Sequence, residues 1–208
     1  RGRRWWSAPG AGIWMSVLLR PRLPTGRAGV LTLLAAVAVR EAVAHRCGLE
    51  LMIKWPNDLL AADGRKVCGI LVELAADQEY LDHAIVGIGI NVRTPAGGFP
   101  PDVAALAATL EEIAGQAVQR PPLVAALCHS LEGWYERGTA GDTDAVLAAW
   151  RAACPWLGQP VEVRQQDRRL IATAEDIEAD GGLRVRDADG RRHVIYAGEV
   201  SLRRAGIR

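Results

Sequence analysis

The chain has 208 residues, of which 50 % are hydrophobic and 24 % are charged, and its formal net charge is +1. This length can bury a core of moderate size with one small additional domain. The near-neutral charge excludes a strong bulk attraction for nucleic acid or anionic membranes. The charge is nevertheless uneven, since seven arginines and no carboxylate lie between Arg1 and Arg40. Such a segment is either an anion-handling N-terminus or a solvated basic face.

The first half of the chain predicts one buried helix followed by strands. Residues 28–44 are almost all small or apolar, and Gly48 is placed to end the helix. Apolar residues on nearly every face predict that this helix is buried. The predicted strands, including a hairpin around Asp63-Gly64, are residues 51–53, 58–61, 67–74 and 83–92. The stretch 92–101, rich in proline and glycine, predicts a loop.

The second half predicts helices and then short strands. Helical periodicity covers residues 102–114, 122–137 and 142–153. After Gly158 the apolar period changes to two, which is typical of short strands in a small SH3-like β-barrel. Those strands are residues 161–164, 170–174, 183–185 and 194–196. We therefore predict an α+β fold: a mixed β-sheet with helices packed on it over residues 1–154, and a C-terminal SH3-like β-barrel over residues 155–208.

The four cysteines predict no metal site. Cys47, Cys68, Cys128 and Cys154 are widely spaced, without a Cys-x-x-Cys pair or a histidine at ligand spacing. Such thiols are expected to be reduced and packed in a core. The longest apolar run, residues 30–39, is about half as long as a membrane span, and no signal peptide follows Arg1. These features predict a cytoplasmic protein that is not embedded in a membrane.

Residues 1–7 form the first pattern with a chemical implication, Arg1-Gly2-Arg3-Arg4-Trp5-Trp6-Ser7. Glycine lets backbone N–H groups approach an oxyanion, and arginine supplies a planar charged fork. A frayed basic terminus explains the same residues equally well.

The second pattern is Lys54-Trp55-Pro56-Asn57-Asp58, followed by Lys66-Val67-Cys68-Gly69-Ile70-Leu71-Val72-Glu73. Proline and asparagine are explained by a tight connection between strands. That explanation does not account for Lys54 and Lys66, which flank an otherwise apolar hairpin.

The third pattern is Gly87-Ile88-Gly89-Ile90-Asn91. Alternating glycines remove the side chains from one face of a strand, so that a ligand or another backbone can approach closely. A helix packed tightly on the strand is the alternative explanation.

Together and in this order, the three patterns resemble the signature of biotin protein ligases. The family signature reads Gly-Arg-Gly-Arg-x-Gly-Arg-x-Trp-x-Ser, Lys-Trp-Pro-Asn-Asp, Lys-x-x-Gly-Ile-Leu-x-Glu and Gly-x-Gly-x-Asn. The ending Gly198-Glu199-Val200-Ser201-Leu202-Arg203 also resembles the close of the family's C-terminal domain, in which Glu199 and Arg203 would make contacts. The resemblance spans essentially the whole chain.

The resemblance implies a reaction in two steps with ATP and biotin as substrates. The biotin carboxylate attacks the α-phosphorus of ATP, and a lysine of a biotin carboxyl carrier domain then attacks the resulting biotinyl-5′-AMP. Mg²⁺ would arrive with ATP. The family implies neither a nucleic-acid nor a membrane partner for these residues, and it leaves a homodimer open.

The resemblance also implies residue roles. Lys66 would contact biotin and the phosphate, and Asp58 would orient the incoming lysine. Arg3 and Trp5 would belong to a loop that closes over the intermediate. The residues implied to bind biotin or the adenylate are Arg1, Gly2, Arg3, Trp5, Lys66, Gly69, Leu71, Gly87, Gly89 and Asn91.

The sequence departs from the family signature at its front. Arg1 matches the middle of the arginine-rich loop, so the first half of that loop is not among the 208 residues. Neither are the strands before it, with a Ser/Thr-containing biotin-recognition segment and a glutamine. We therefore expect a fragment that ligates biotin weakly or not at all.

Three alternatives stay open. A lipoate ligase or octanoyltransferase is expected to share the fold, although Lys54 to Asp58 argues against it. A nucleic-acid-binding module could use the arginine-rich start, but the barrel strands carry no row of aromatic residues for stacking. A non-catalytic interaction protein is the third.

Overall fold

The computed structural model describes residues 6–165 and 168–202, which contain helices and strands of two sheets. The helices are α1 (Val30–Cys47), α2 (Pro101–Ala104), α3 (Leu110–Ala114), α4 (Arg120–Ala140) and α5 (Thr143–Ala152). The strands are β1 (Gly12–Leu19), β2 (Met52–Lys54), β3 (Asp58–Leu60), β4 (Lys66–Ala76), β5 (Leu81–Asn91), β6 (Pro160–Gln165), β7 (Arg168–Ile177), β8 (Leu183–Asp187), β9 (Arg192–Ile195) and β10 (Glu199–Leu202). The predicted α+β class, with helices packed on a sheet and a small C-terminal sheet domain, is confirmed.

The first sheet has the strand order β1-β5-β4-β3-β2. Its strand pairs are antiparallel, so the prediction of a mixed sheet is wrong in this detail. Strands β2 to β5 follow one another through short connections, and such connections can join only antiparallel neighbours. On the inward face, Ile70 of β4 and Val86, Ile88 and Ile90 of β5 are buried, because residues two apart on a strand share a face.

Helix α1 forms the centre of the core. It contacts α4 and α5 as well as strands β2 to β5, so its apolar residues are buried on nearly all sides. Gly48 ends the helix in a left-handed conformation with φ 66°, as the sequence predicts. The segment Thr25–Cys47 is long and apolar enough to cross a membrane by length and composition, but most of it is buried inside the protein. Burial in the core accounts for its composition.

The second sheet has the order β10-β6-β7-β8-β9, and no ladder joins β9 to β10 among the residues described. The predicted closed barrel is therefore wrong. Only residues 196–198 connect these two edge strands, and a chain of that length spans at most about 14 Å. A flat sheet of five strands is about 19 Å wide, so the sheet must curl until its edges approach at one end. The sheet is open because, within residues 160–165 and 168–202, β10 pairs with β6 and not with β9.

Two local predictions fail for identifiable reasons. Residues 102–114 form two short helices rather than one, because the segment between them pairs with β4: Lys66 N–H donates to Leu106 O at 2.7 Å, and Ala108 N–H donates to Lys66 O at 2.9 Å. Strand β1 is absent from the predicted elements. Its residues alternate between the two faces of the sheet at the sheet edge, where the inward positions are only half-buried beyond Ile13.

The cysteine prediction holds in part. Cys68 and Cys154 are buried, whereas Cys47 is half-buried and Cys128 is exposed. Cys128 lies on α4, which buries Leu123, Leu127 and Leu131 on its other side. Burial raises the pKa of the Cys154 thiol to about 11 and raises that of Cys68 further. Both buried thiols are therefore protonated packing groups at neutral pH.

Asp176 of β7 connects the second sheet to helix α5. Arg151 Nε donates to Asp176 Oδ1 at 2.6 Å, and Arg184 Nη2 donates to Asp176 Oδ2 at 3.1 Å. Partial burial acts to raise the pKa of Asp176, but the hydrogen bonds from Arg151 and the Ile177 N–H and the two guanidinium charges outweigh it. The pKa of Asp176 consequently lies below its ordinary value of 3.8.

A lowered folded-state pKa means that the stabilisation is fully present above pH 3.8 and is lost as the pH falls through the folded pKa. We expect Asp176→Asn to lower the free energy of unfolding at pH 7 by about 1 kcal/mol. The difference between variant and wild type should shrink as the pH falls below 3.8. Urea denaturation at neutral and acid pH measures both values. A difference that does not change with pH would contradict the role of the Asp176 carboxylate.

Candidate functional site

One row of residues crosses all five strands of the first sheet on its outward face. Lys54 of β2 is opposite Asp58 of β3, Asp58 is opposite Gly69 of β4, Gly69 is opposite Gly89 of β5, and Gly89 is opposite Trp14 of β1. Residues directly opposite each other in a sheet project to the same face. The row therefore has charged side chains at one end, two glycines in the middle and an indole at the other end.

Because the glycines carry no side chains, this face of the sheet forms a trough floored by backbone, in which Gly87 and Gly89 are half-buried and Gly69 is buried. Gly87, two residues before Gly89, is opposite Leu71 of β4 and Ser16 of β1, and Leu71 is exposed. Neighbouring strands are about 4.8 Å apart, so the trough between Asp58 and Trp14 is about 14 Å wide. An elongated molecule can lie there directly against the backbone of β5, where Gly87 and Gly89 are half-buried.

The charged end of the trough is built by Lys66 and Asp58. Lys66 Nζ lies 2.5 Å from Asp58 Oδ1, and both side chains are partly buried, at 34 % and 24 % exposure. A cation in this setting is less screened than one at the surface, and the carboxylate fixes its position. The pair can hold an anionic group at the end of the trough.

The backbone around Lys66 is also held in place. Its N–H and carbonyl bond to the segment between α2 and α3, as described above. Asn91, at the end of β5, donates from Nδ2 to the same Lys66 carbonyl at 3.3 Å. The structure thus brings together Lys66, Asp58 and Asn91 from three different strands.

The trough's aromatic end was not predicted from the sequence. A Cβ on Gly12 would lie 2.4 Å from the Trp14 ring, so the indole folds over Gly12 and only a glycine fits beneath it. Trp14 remains 38 % exposed. Elsewhere in the chain, the Trp6 ring packs edge-on against Phe99, with ring centroids 5.6 Å apart. The signal in the sequence is Gly12-Ile13-Trp14, which becomes informative only once β1 is known to lie beside β5.

Comparison with known proteins bears on this arrangement. The model of the Biotin/lipoate A/B protein ligase family matches residues 1–91, and the model of the biotin protein ligase C terminal domain matches residues 156–203. The biotin–[acetyl-CoA-carboxylase] ligase of Paracoccus denitrificans is 31 % identical over 205 residues, covering 96 % of this chain and 85 % of that protein. The chain belongs to the biotin protein ligase family.

A further relative and a solved structure support this family assignment. The bifunctional ligase/repressor BirA of Bacillus subtilis (strain 168) is 32 % identical over 200 residues, covering 96 % of this chain. The chain spans 61 % of the length of that relative. Among solved structures, the biotin protein ligase from Aquifex aeolicus in complex with biotin and ATP has a TM-score of 0.81 and 27 % identity. That match covers 98 % of this chain and 83 % of the Aquifex chain.

The remaining predicted family positions lie elsewhere in the chain. Arg1, Gly2, Arg3, Trp5 and Arg203 are outside the described residues. Glu199 lies on β10 of the second sheet, opposite Arg164.

A separate groove of about 580 Å³ lies between α1 and α4 and is lined by Glu41, His45 and His129 among others. Glu41 is already engaged there, since it accepts hydrogen bonds from Ser130 and from Trp134. None of the family patterns falls in this groove. The chemistry instead converges on the outward face of the first sheet.

Proposed function

We propose that this protein is a biotin protein ligase, which activates biotin with ATP and transfers it to a lysine of another protein. The observation that carries the proposal is the row on the first sheet, in which a Lys66–Asp58 pair borders a glycine trough. The match to an Aquifex aeolicus ligase whose structure contains biotin and ATP supports it.

In the first step, a carboxylate oxygen of biotin forms a bond to the α-phosphorus of ATP. The bond from that phosphorus to the bridging oxygen breaks, and pyrophosphate leaves with the electron pair. Negative charge builds up on the phosphoryl oxygens, and Lys66 is placed to stabilise it. Gly69, Gly87 and Gly89 let the acyl adenylate lie against the sheet, so that positioning supplies much of the rate. Leu71 and Asn91 border the same surface.

In the second step, the amine of the acceptor lysine forms a bond to the biotinyl carbonyl carbon. The carbon–oxygen bond to AMP breaks, AMP leaves with the electron pair, and the proton that the nitrogen loses passes to solvent water. Asp58 lies beside Lys66 at the rim of the trough, where its carboxylate can attract and orient the incoming ammonium group. We assign it this electrostatic role because an ordinary aspartate, with a pKa of about 3.9, is a weak base.

We propose that Mg²⁺ enters this site as a companion of the nucleotide. No group of three or more His, Cys, Asp or Glu side chains that could hold a metal ion occurs within residues 6–165 and 168–202. Asp58 is the carboxylate of the Lys66 pair and would face the phosphates. Bound to the triphosphate, Mg²⁺ would offset the charge of the leaving pyrophosphate.

The acceptor that we propose is a biotin carboxyl carrier domain, and the compartment is the cytoplasm. The printed names of the Paracoccus denitrificans and Mycobacterium tuberculosis relatives, both biotin–[acetyl-CoA-carboxylase] ligases, support this acceptor class. The buried, protonated thiols of Cys68 and Cys154 suit a reducing compartment.

A lipoate ligase is the second candidate, because the family model over residues 1–91 covers both biotin and lipoate ligases. The model over residues 156–203 names biotin protein ligase alone and favours biotin. Pyrophosphate release with ATP and either biotin, lipoate or octanoate distinguishes them. We expect release with biotin only, at the weak rate expected of these 208 residues, together with transfer to a carrier domain detected by streptavidin. Release driven by lipoate or octanoate instead would contradict the proposal.

Lys66→Ala should slow adenylate formation by about a hundredfold, equivalent to about 3 kcal/mol, because the variant loses a cation beside developing negative charge. Single-turnover formation of biotinyl-5′-AMP measures this rate. Lys54→Ala is the matched control: Lys54 also faces Asp58 across the hairpin, but it lies farther from the glycines. We expect a smaller loss from Lys54→Ala, and small equal losses from both variants would refute the role of Lys66.

A further inference from the structure

The connection that carries the charged end of the trough is only three residues long. Strand β2 ends at Lys54 and β3 begins at Asp58. The three connecting residues, 55–57, therefore set the positions of the Lys54 and Asp58 side chains. Asn57 is fixed by β4, since its Nδ2 donates to Ile70 O at 2.6 Å and its carbonyl accepts from Ile70 N–H at 2.9 Å. One side of the connection is thus held by the first sheet itself.

The other side of the connection is held by the second sheet. Trp55 is 3 % exposed, and its indole Nε1 donates to the carbonyl of Gly181 at 3.0 Å. Gly181 lies in the turn between β7 and β8, more than a hundred residues away in sequence. A buried indole N–H needs such a partner, because an unpaired one costs free energy.

Two glycines let this turn approach the first domain. A Cβ on Gly29, just before α1, would lie 1.9 Å from the carbonyl oxygen of Asp180, and a Cβ on Gly181 would lie 3.1 Å from Gly29 Cα. Gly181 also has φ +87°, where other residues are strained. We call the contact formed by Gly29, Trp55, Asp180 and Gly181 the domain seam.

The turn at the seam is shaped by its own sheet. Gly181 N–H donates to Glu178 O, and Glu178 N–H donates to Gly182 O. The Asp180 carboxylate accepts from Gly182 N–H at 3.1 Å and from the Tyr196 hydroxyl at 2.8 Å. The carbonyl that receives the Trp55 indole therefore belongs to a preformed turn, which can position the indole.

We propose that Trp55 is a positioning residue, through which the second sheet fixes the β2–β3 connection and so the placement of Asp58 beside Lys66. This inference rests on the proposed function, because the placement matters for adenylate chemistry. Trp55 itself touches no reacting atom. Loosening the seam should lower kcat while leaving KM for biotin unchanged, since a misplaced cation weakens interactions made in the transition state.

The test uses the 208-residue chain with two variants at the seam and two matched controls. Trp55→Phe removes the N–H donor, and Trp150→Phe makes the same change at a buried tryptophan whose Nε1 has no hydrogen-bond partner among the described residues. Gly29→Ala pushes against the Asp180 carbonyl, whereas Gly26→Ala, three residues earlier, meets no atom within 4 Å. Trp55→Phe adds no atoms and so tests the idea even where Gly29→Ala perturbs folding.

Two readouts are measured on each variant: amide hydrogen exchange, and the steady-state kinetics of pyrophosphate release. We expect Trp55→Phe and Gly29→Ala to raise exchange at residues 54–60 and at Ile70, without a change in α4. We expect kcat to fall about tenfold or more, as small misplacements of catalytic groups do, with KM for biotin unchanged. Gly26→Ala and Trp150→Phe should change neither exchange at residues 54–60 nor kcat.

Wild-type exchange at residues 54–60 in Trp55→Phe would overturn the proposal, and so would exchange that rises equally in α4. Raised local exchange with unchanged kcat would also overturn it, because the seam would then hold the connection without affecting the reaction. If the wild-type chain released pyrophosphate with lipoate or octanoate and not with biotin, the proposed function would fail. The exchange measurement would still decide whether the second sheet holds the connection.

Discussion

The pairing register of β4 and β5 is the constraint on which the rest of the structure depends. In this register Ile70 lies opposite Ile88 on the inward face, and Gly69 lies opposite Gly89 on the outward face. A slip of one residue would exchange the two faces, placing isoleucines in the trough and glycines against α1. Burial of the apolar residues thus fixes the position of the glycines. The requirement that builds the core also opens the surface that we assign to ligand binding.

Much of the first domain follows from local sequence. The α1 helix, its end at Gly48 and the hairpin from Asp58 through β4 are encoded by apolar pattern and by turn residues, so they can be predicted without tertiary information. The resemblance to biotin protein ligases predicts Lys66, Asp58 and Asn91 as site residues, because the family pattern places charged and amide groups beside glycines. The structure brings these three residues together at one end of the trough.

Features that depend on contacts distant in sequence could not be predicted. Strand β1 becomes recognisable only through its pairing with β5, and with it the indole of Trp14 at the end of the trough. The break between α2 and α3 exists because Lys66 takes its backbone partners from that segment. The open edge of the second sheet and the hydrogen bond from Trp55 to Gly181 depend on which distant segments of the chain lie side by side. Periodicity within one segment contains no information about such pairings.

The central claim is that the outward face of the first sheet binds the biotinyl adenylate. Amide chemical-shift mapping with a non-hydrolysable analogue of biotinyl-5′-AMP tests it most directly. We expect shifts for the amides of Gly69, Gly87 and Gly89 and for the side-chain amide of Asn91, and we expect these shifts to be weaker in Lys66→Ala. Shifts confined to the groove between α1 and α4, around His45 and His129, would contradict it.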